Sequence, residues 1–236
     1  MGADTQLVHA RGGGLLLRSG RLRPQHGYAD AARPVRQELA RVGAMVRLRA
    51  LGRFHIHAGG VVAPDGGAWL LVGESGSGKS TLTYALARAG WPVLGDDGVV
   101  LERAGEEIAV HGWHEPMRVS IELARWFPEL GERSADVDWE DPRRRLPVRA
   151  VRARRARVAG LLIVTRGPTD ALTTLPPTAA LAAVIPQSAM VLLGDGHAAA
   201  HLETLRALVE RVPAFRLVHT ERQLHVVART IAEAGA

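Results

Sequence analysis

The stretch Gly73-Glu74-Ser75-Gly76-Ser77-Gly78-Lys79-Ser80-Thr81 carries the most specific chemistry in the sequence. It satisfies G-x-x-x-x-G-K-[ST] at every fixed position, with an apolar run before it and a helix-forming run after it. Its glycines let the backbone curl so that successive N–H groups converge on phosphate oxygens, and the following helix N-terminus adds partial positive charge there. Lys79 is expected to bridge the β- and γ-phosphates, and Ser80 to place its hydroxyl on Mg²⁺. All nine residues, Gly73 to Thr81, are therefore candidate nucleotide contacts, with ATP and Mg²⁺ as the expected cofactors. Lys79 is also the only lysine among the 30 Lys and Arg residues. A compact ammonium fits among phosphate oxygens where a planar guanidinium does not.

Other candidates cluster by spacing. Asp96 and Asp97 end an apolar run one helix after the glycine-rich loop. One carboxylate there can face Mg²⁺ while the other accepts a proton from an incoming hydroxyl. Gly95-Asp96-Asp97-Gly98 is equally turn chemistry. His55 and His57 fall on one face of a predicted strand leading towards the loop; either could tune a carboxylate or serve structure. His111 and His114 flank Trp113 near Glu115, and Glu115 is a candidate Mg²⁺ ligand with Ser80 and Asp97. Arg143, Arg144, Arg145, Arg149, Arg152, Arg154, Arg155 and Arg157 form a basic run. It reads as a solvated face or as a contact for an acidic acceptor or the triphosphate, with Arg143 and Arg144 as the candidates for that contact. Aromatic residues make up only 4% of the chain and none interleaves the run, which argues against base stacking and against a nucleic-acid partner. His197, His201, His219 and His225 suggest no constellation.

The elements that must position these residues follow from patterning. Apolar residues are 47% and charged residues 23% of 236, enough to bury a core. A net charge of +6 suits acidic partners without choosing among them. The absence of cysteine excludes a thiolate nucleophile, a disulfide framework and cysteine-ligated zinc. With no apolar run of spanning length and no secretory signal pattern, a cytoplasmic protein is the expectation. A helix is predicted over 30–50, a strand over Arg53–Val62, a turn at Pro64-Asp65-Gly66-Gly67 and a second strand over Ala68–Val72, making a hairpin that feeds the loop. Further predictions are a helix over Leu82–Ala89, strands over Trp91–Leu94, Val99–Glu102, Ile108–His111 and Val158–Thr165, and a helix over 118–130 stopped near Pro128. Helices over Thr178–Val184, Ala198–Val212 and Glu221–Ala234 and a strand over Phe215–His219 complete the chain. The result is an α/β protein with a mixed sheet flanked by helices, a single domain over 1–236 with an appendage at 1–50 and a core at 51–236.

In His57-Ala58-Gly59-Gly60-Val61-Val62, Trp69–Thr81 and Gly90–Asp97 the sequence resembles the catalytic domain of the HPr serine kinase/phosphorylase family. It is most similar to short HPr-kinase-related proteins such as lasso-peptide kinases. The match covers residues 54–100. The resemblance implies a P-loop fold shared with phosphoenolpyruvate carboxykinases. It implies ATP-dependent transfer of the γ-phosphate to a hydroxyl, serine above all, of a peptide or protein acceptor. It also implies a His57–Asp96 catalytic pair with Asp96 as the base, Asp97 and Ser80 on Mg²⁺, Lys79 on the phosphates, and homo-oligomers. The alternatives are a nucleotide-dependent binding or switch protein and a kinase of a small-molecule hydroxyl. An ABC-type ATPase is excluded, because no LSGGQ-type signature or downstream Asp-Glu strand end is present.

Overall fold

Two apolar runs, Leu70-Leu71-Val72 and Leu161-Leu162-Ile163-Val164, are buried on both faces, and they mark the centre of a sheet covered on two sides. The computed structural model describes residues 5–8, 14–18, 21–113, 115, 117–134, 145–193, 196–220, 227 and 231. In chain order the strands are β1 (Thr5–Val8), β2 (Gly14–Arg18), β3 (Arg21–Pro24), β4 (Arg53–Ile56), β5 (Gly59–Val62), β6 (Gly67–Val72) and β7 (Val93–Gly95). They continue as β8 (Val99–Ala104), β9 (Glu107–Gly112), β10 (Met117–Ser120), β11 (Arg145–Val148), β12 (Arg155–Arg166), β13 (Ala171–Leu175) and β14 (Ala214–His219). The helices are α1 (Arg33–Arg49), α2 (Lys79–Arg88), α3 (Pro128–Ser134), α4 (Pro177–Val184) and α5 (Ala198–Arg211).

The main sheet is mixed and curled. Its path runs β4-β8-β9-β12-β6-β5-β7, with β14 on β12 and β13 on β14. The long β12 lies parallel to β6 along one edge; along its other edge it takes β9 antiparallel and then β14 parallel. Period-two alternation divides the core. Leu71, Leu162 and Val164 point to α2, packing with Leu82 and Leu86. Leu70, Val72, Leu161 and Ile163 point to α4 and α5, packing with Val184, Leu205 and Leu208. The N-terminal strands form a separate antiparallel sheet, where Leu15 of β2 packs with Val35 and Leu39 of α1. Arg49 at the end of α1 is buried, 3.0 Å from His201 Nδ1 of α5, and His201 stacks on Phe54 of β4 at 4.6 Å. His201 is thus a packing residue. Among the described residues no helix is long and apolar enough to cross a membrane.

Three sequence expectations change. The strand expected over Arg53–Val62 is two strands: β4 pairs with β8, and β5 pairs with β6 and β7. The break falls at His57, whose backbone N–H leaves the sheet and donates to the Gln187 carbonyl at 2.8 Å. The hairpin that feeds the loop is β5–β6 alone, and His55 and His57 do not share a face of one strand. The helix expected over 118–130 is instead the strand β10, a 3₁₀ turn over Ile121–Arg125, and the start of α3. Pro128 begins α3 instead of stopping a helix, since the first turn needs no N–H from that residue. The strand β13 was not foreseen. It is mostly exposed and rich in threonine, so it carries little apolar signal. Of the helix expected over Glu221–Ala234, only Val227 and Ile231 are described; both are helical and buried in the α2-side core.

Leu162 is fully buried at the centre of the sheet. Leu162→Ala should lower unfolding stability by about 2–5 kcal/mol, read from urea denaturation. A loss under ~1 kcal/mol would contradict its place there.

Candidate functional site

Strand direction gathers the site. β5 is antiparallel to both β6 and β7, so β6 and β7 run the same way and β5 begins where they end. The loop after β6, the Asp96-Asp97 turn after β7 and His57 before β5 therefore emerge at one edge. β12 and β14 run parallel to β6, so His219, last in β14, reaches the same edge. Carboxyl ends of parallel strands are where α/β sheets place ligands.

At that edge the chain from Gly73 to Thr81 turns into α2. Gly78 adopts φ +105°, a left-handed value, and no side chain caps the helix. The first turn of α2 holds no acidic residue, which leaves its N–H groups open to an anion. The imidazole of His219 lies against Gly78; a Cβ there would stand 2.5 Å from His219 Nε2. His219 Nε2 is 2.8 Å from the Ser77 carbonyl oxygen, so it carries the ring proton and donates to it. Lys79 is buried, and its Nζ donates to the Gly73 carbonyl at 2.7 Å and the Glu74 carbonyl at 3.0 Å. Burial pushes its pKa down, while Asp97 and Asp96 push it back up.

The two aspartates face different partners. The Ser80 hydroxyl lies beside the Asp96 carboxyl, and Asp96 Oδ2 also accepts from the Arg118 backbone N–H at 3.5 Å. Asp96 Oδ1 is buried with no hydrogen-bond partner. Burial pushes the Asp96 carboxyl up to about 6, with Ser80 and the Arg118 N–H holding it lower than burial alone would. Asp97 is half exposed and meets His57: Nδ1 is 3.2 Å from Asp97 Oδ1 and 3.0 Å from the Asp97 carbonyl oxygen. With acceptors on both sides, the ring proton belongs on Nδ1 and the lone pair on Nε2. The structure brings His57 to Asp97, whereas the contacts of Asp96 are the Ser80 hydroxyl and the Arg118 N–H. The physical reason is the turn, which directs successive side chains to opposite sides and keeps Asp96 beside the helix start.

Arg41 of α1 was not foreseen in the sequence. Its Nη2 lies 3.3 Å from Asp97 Oδ2 and its Nε 3.4 Å from Glu115 Oε1. Glu115 also accepts from Trp113 Nε1 at 2.8 Å, and its backbone carbonyl accepts from Arg152 Nη2 at 2.8 Å. His55 is buried against Gly98, where its ring occupies the space a Cβ would need, and edge-on to Trp113. Burial first, then the charge of Arg41, lowers its pKa to about 3, so it is neutral and supports the turn from beneath. His111 binds Glu102 at 2.6 Å on the sheet surface. Arg143, Arg144, His114 and His225 lie outside the described residues. Neither Arg41 nor His219 could be found by spacing, because each reaches the site from a distant element.

Among the described residues no three His, Asp or Glu side chains are arranged to hold a metal by themselves. Mg²⁺ takes one or two protein oxygens and fills its shell with phosphates and water. The unpartnered Asp96 Oδ1 beside the Ser80 hydroxyl supplies hard oxygen donors of that kind.

No protein-family profile matches the chain, and no curated protein does. Among solved structures, the Hpr(Ser) kinase/phosphatase from Coxiella burnetii is similar at 15% identity, over 76% of this chain and 94% of that one, with a TM-score of 0.37.

The Asp96 carboxyl gives a pH-dependent stability. Below its ordinary value of 3.8 it is neutral whether the chain is folded or not. As pH rises through 3.8 to about 6, the unfolded chain ionises freely and the folded one does not, so stability falls. The displacement corresponds to about 3 kcal/mol, present in full above the folded value. Asp96→Asn should therefore make the nucleotide-free protein more stable at pH 8 by up to ~3 kcal/mol, with the gain fading towards pH 4. Chemical denaturation at the two pH values checks this; an equal effect at both would contradict the assignment.

Proposed function

We propose that this chain is an ATP-dependent kinase that transfers the γ-phosphate to a hydroxyl, serine first, of a peptide or protein acceptor. The observation that carries the reading is the convergence at one sheet edge of an uncapped helix start with a buried ammonium, a hydroxyl–carboxyl pair and a carboxylate-held imidazole. Each supplies one requirement of phosphoryl transfer, which depends on positioning and charge neutralisation.

The loop amides and the start of α2 bind the β- and γ-phosphates, and Lys79 exchanges its two carbonyl partners for phosphate oxygens. Ser80 and Asp96 would hold Mg²⁺, which when bound offsets the negative charge of the transferring group. His57 faces the acceptor with its Nε2 lone pair and takes the hydroxyl proton as the oxygen attacks phosphorus and the bond to ADP breaks. Asp97 keeps the His57 proton on Nδ1 and favours the imidazolium that results. This exchanges the two aspartates relative to the sequence expectation of Asp96 as base and Asp97 on the metal. The pairings of His57 with Asp97 and of Ser80 with Asp96 favour the exchange. Glu115, engaged by Arg41 and Trp113, lies beside this machinery as a further metal ligand or a support for Asp97.

Incubation with γ-labelled ATP, Mg²⁺ and candidate peptides should give phosphoserine on peptide. Free phosphate alone would favour a switch protein, and label in a small molecule would favour a metabolite kinase. Lys79→Ala should abolish transfer. His57→Ala should cost on the order of 10²–10⁴ in rate with nucleotide affinity retained. Unchanged turnover in the His57 variant would place the base elsewhere.

A further inference from the structure

Among the described side chains of the basic run, the structure draws one inward. Arg149, Arg154, Arg155 and Arg157 are exposed. Arg152 is not, and its backbone is fixed beside β7: Val93 N–H donates to the Val151 carbonyl at 2.7 Å, and Ala153 N–H to the Val93 carbonyl at 3.0 Å. That places Arg152 alongside the strand that ends in the Asp96-Asp97 turn. Its guanidinium is anchored at one end, where Nη2 donates to the Glu115 carbonyl at 2.8 Å. At the other end Nη1 is buried and has no acceptor. The same guanidinium acts electrostatically on the Asp96 carboxyl, which itself has a buried oxygen without a partner.

A buried charged donor is costly to leave unmatched, and native sites keep one where a ligand supplies the acceptor. Guanidinium is suited to phosphoryl oxygens because its fork is planar and always charged. The same sheet edge carries the glycine-rich loop, and Ser80 lies at Asp96, so on the nucleotide-site reading the anion that reaches Asp96 is the outermost phosphoryl group. We propose that Arg152 binds the terminal phosphoryl group, Nη1 donating to one of its non-bridging oxygens while Nη2 stays on the Glu115 carbonyl. The inference rests on the nucleotide-site reading above and adds a residue that tells a triphosphate from a diphosphate. Transfer would then leave Nη1 without its partner, which favours ADP release.

The test is displacement of a fluorescent ADP analogue from the full chain by ATP and by ADP, each with Mg²⁺. Wild type should hold ATP about tenfold or more tighter than ADP, as one charge-assisted hydrogen bond allows. Arg152→Met should keep ADP affinity within about twofold and bring ATP down to the ADP level. Arg152→Lys should fall between, because an ammonium keeps charge without the fork. An ATP-to-ADP ratio unchanged in Arg152→Met overturns the proposal. Equal weakening of both nucleotides also overturns it, since a merely structural arginine would act that way. Failure of wild type to bind either nucleotide would instead end the nucleotide-site reading, and this proposal with it.

Discussion

Lys79 carries a charge that is buried and, among the described residues, hydrogen-bonded to backbone carbonyls, those of Gly73 and Glu74, within its own loop. Removing an ammonium from water is unfavourable unless something anionic compensates, and among the described residues no carboxylate is paired with this one. The rest of the edge can be understood from that constraint. Gly78 takes a left-handed turn so that α2 can begin at Lys79, and His219 fills the space that a side chain at Gly78 would need. Asp96 and Asp97 stand near enough to act on the ammonium without pairing to it.

The curled sheet provides the means. Because β6, β7, β12 and β14 end on one side and β5 begins there, four segments far apart in sequence deliver the glycine-rich loop, the aspartate turn, His57 and His219 to the same edge. The two apolar clusters on either face bury β6 and β12, so the loop follows a strand packed on both sides. The N-terminal helix joins from outside through Arg41, which ties its own packing to Asp97 and Glu115. These contacts are half exposed, and pairs of that kind contribute little to stability. Arg41 offsets part of the negative charge of the two carboxylates it bridges.

What could be read from sequence was what is local in sequence. The glycine-rich loop is nine consecutive residues, and its neighbours alternate clearly enough to show the strand before and the helix after. The β5–β6 hairpin was legible from its turn residues. The pairing of aspartates was not, since Asp96 and Asp97 are chemically identical until the Gly95–Gly98 turn sends them apart. Nor was the break at His57, because the alternation of Phe54, Ile56 and Ala58 continues through it. Parallel neighbours such as β12 and β14 depend on long connections, so the place of His219 could not be inferred. The segment 118–130 misled because its apolar spacing suits a helix, while β10 is held by pairing with β11 across a long insertion.

The solitary lysine offers a direct measurement. Selective ¹⁵N labelling of lysine should give a single ammonium resonance, that of Lys79, followed by NMR as Mg²⁺ and ATP are added. The account predicts a distinct new signal at saturation, more slowly exchanging and with a raised pKa, as carbonyl contacts give way to phosphate oxygens. A resonance that keeps its position and its titration in the presence of saturating nucleotide would contradict it.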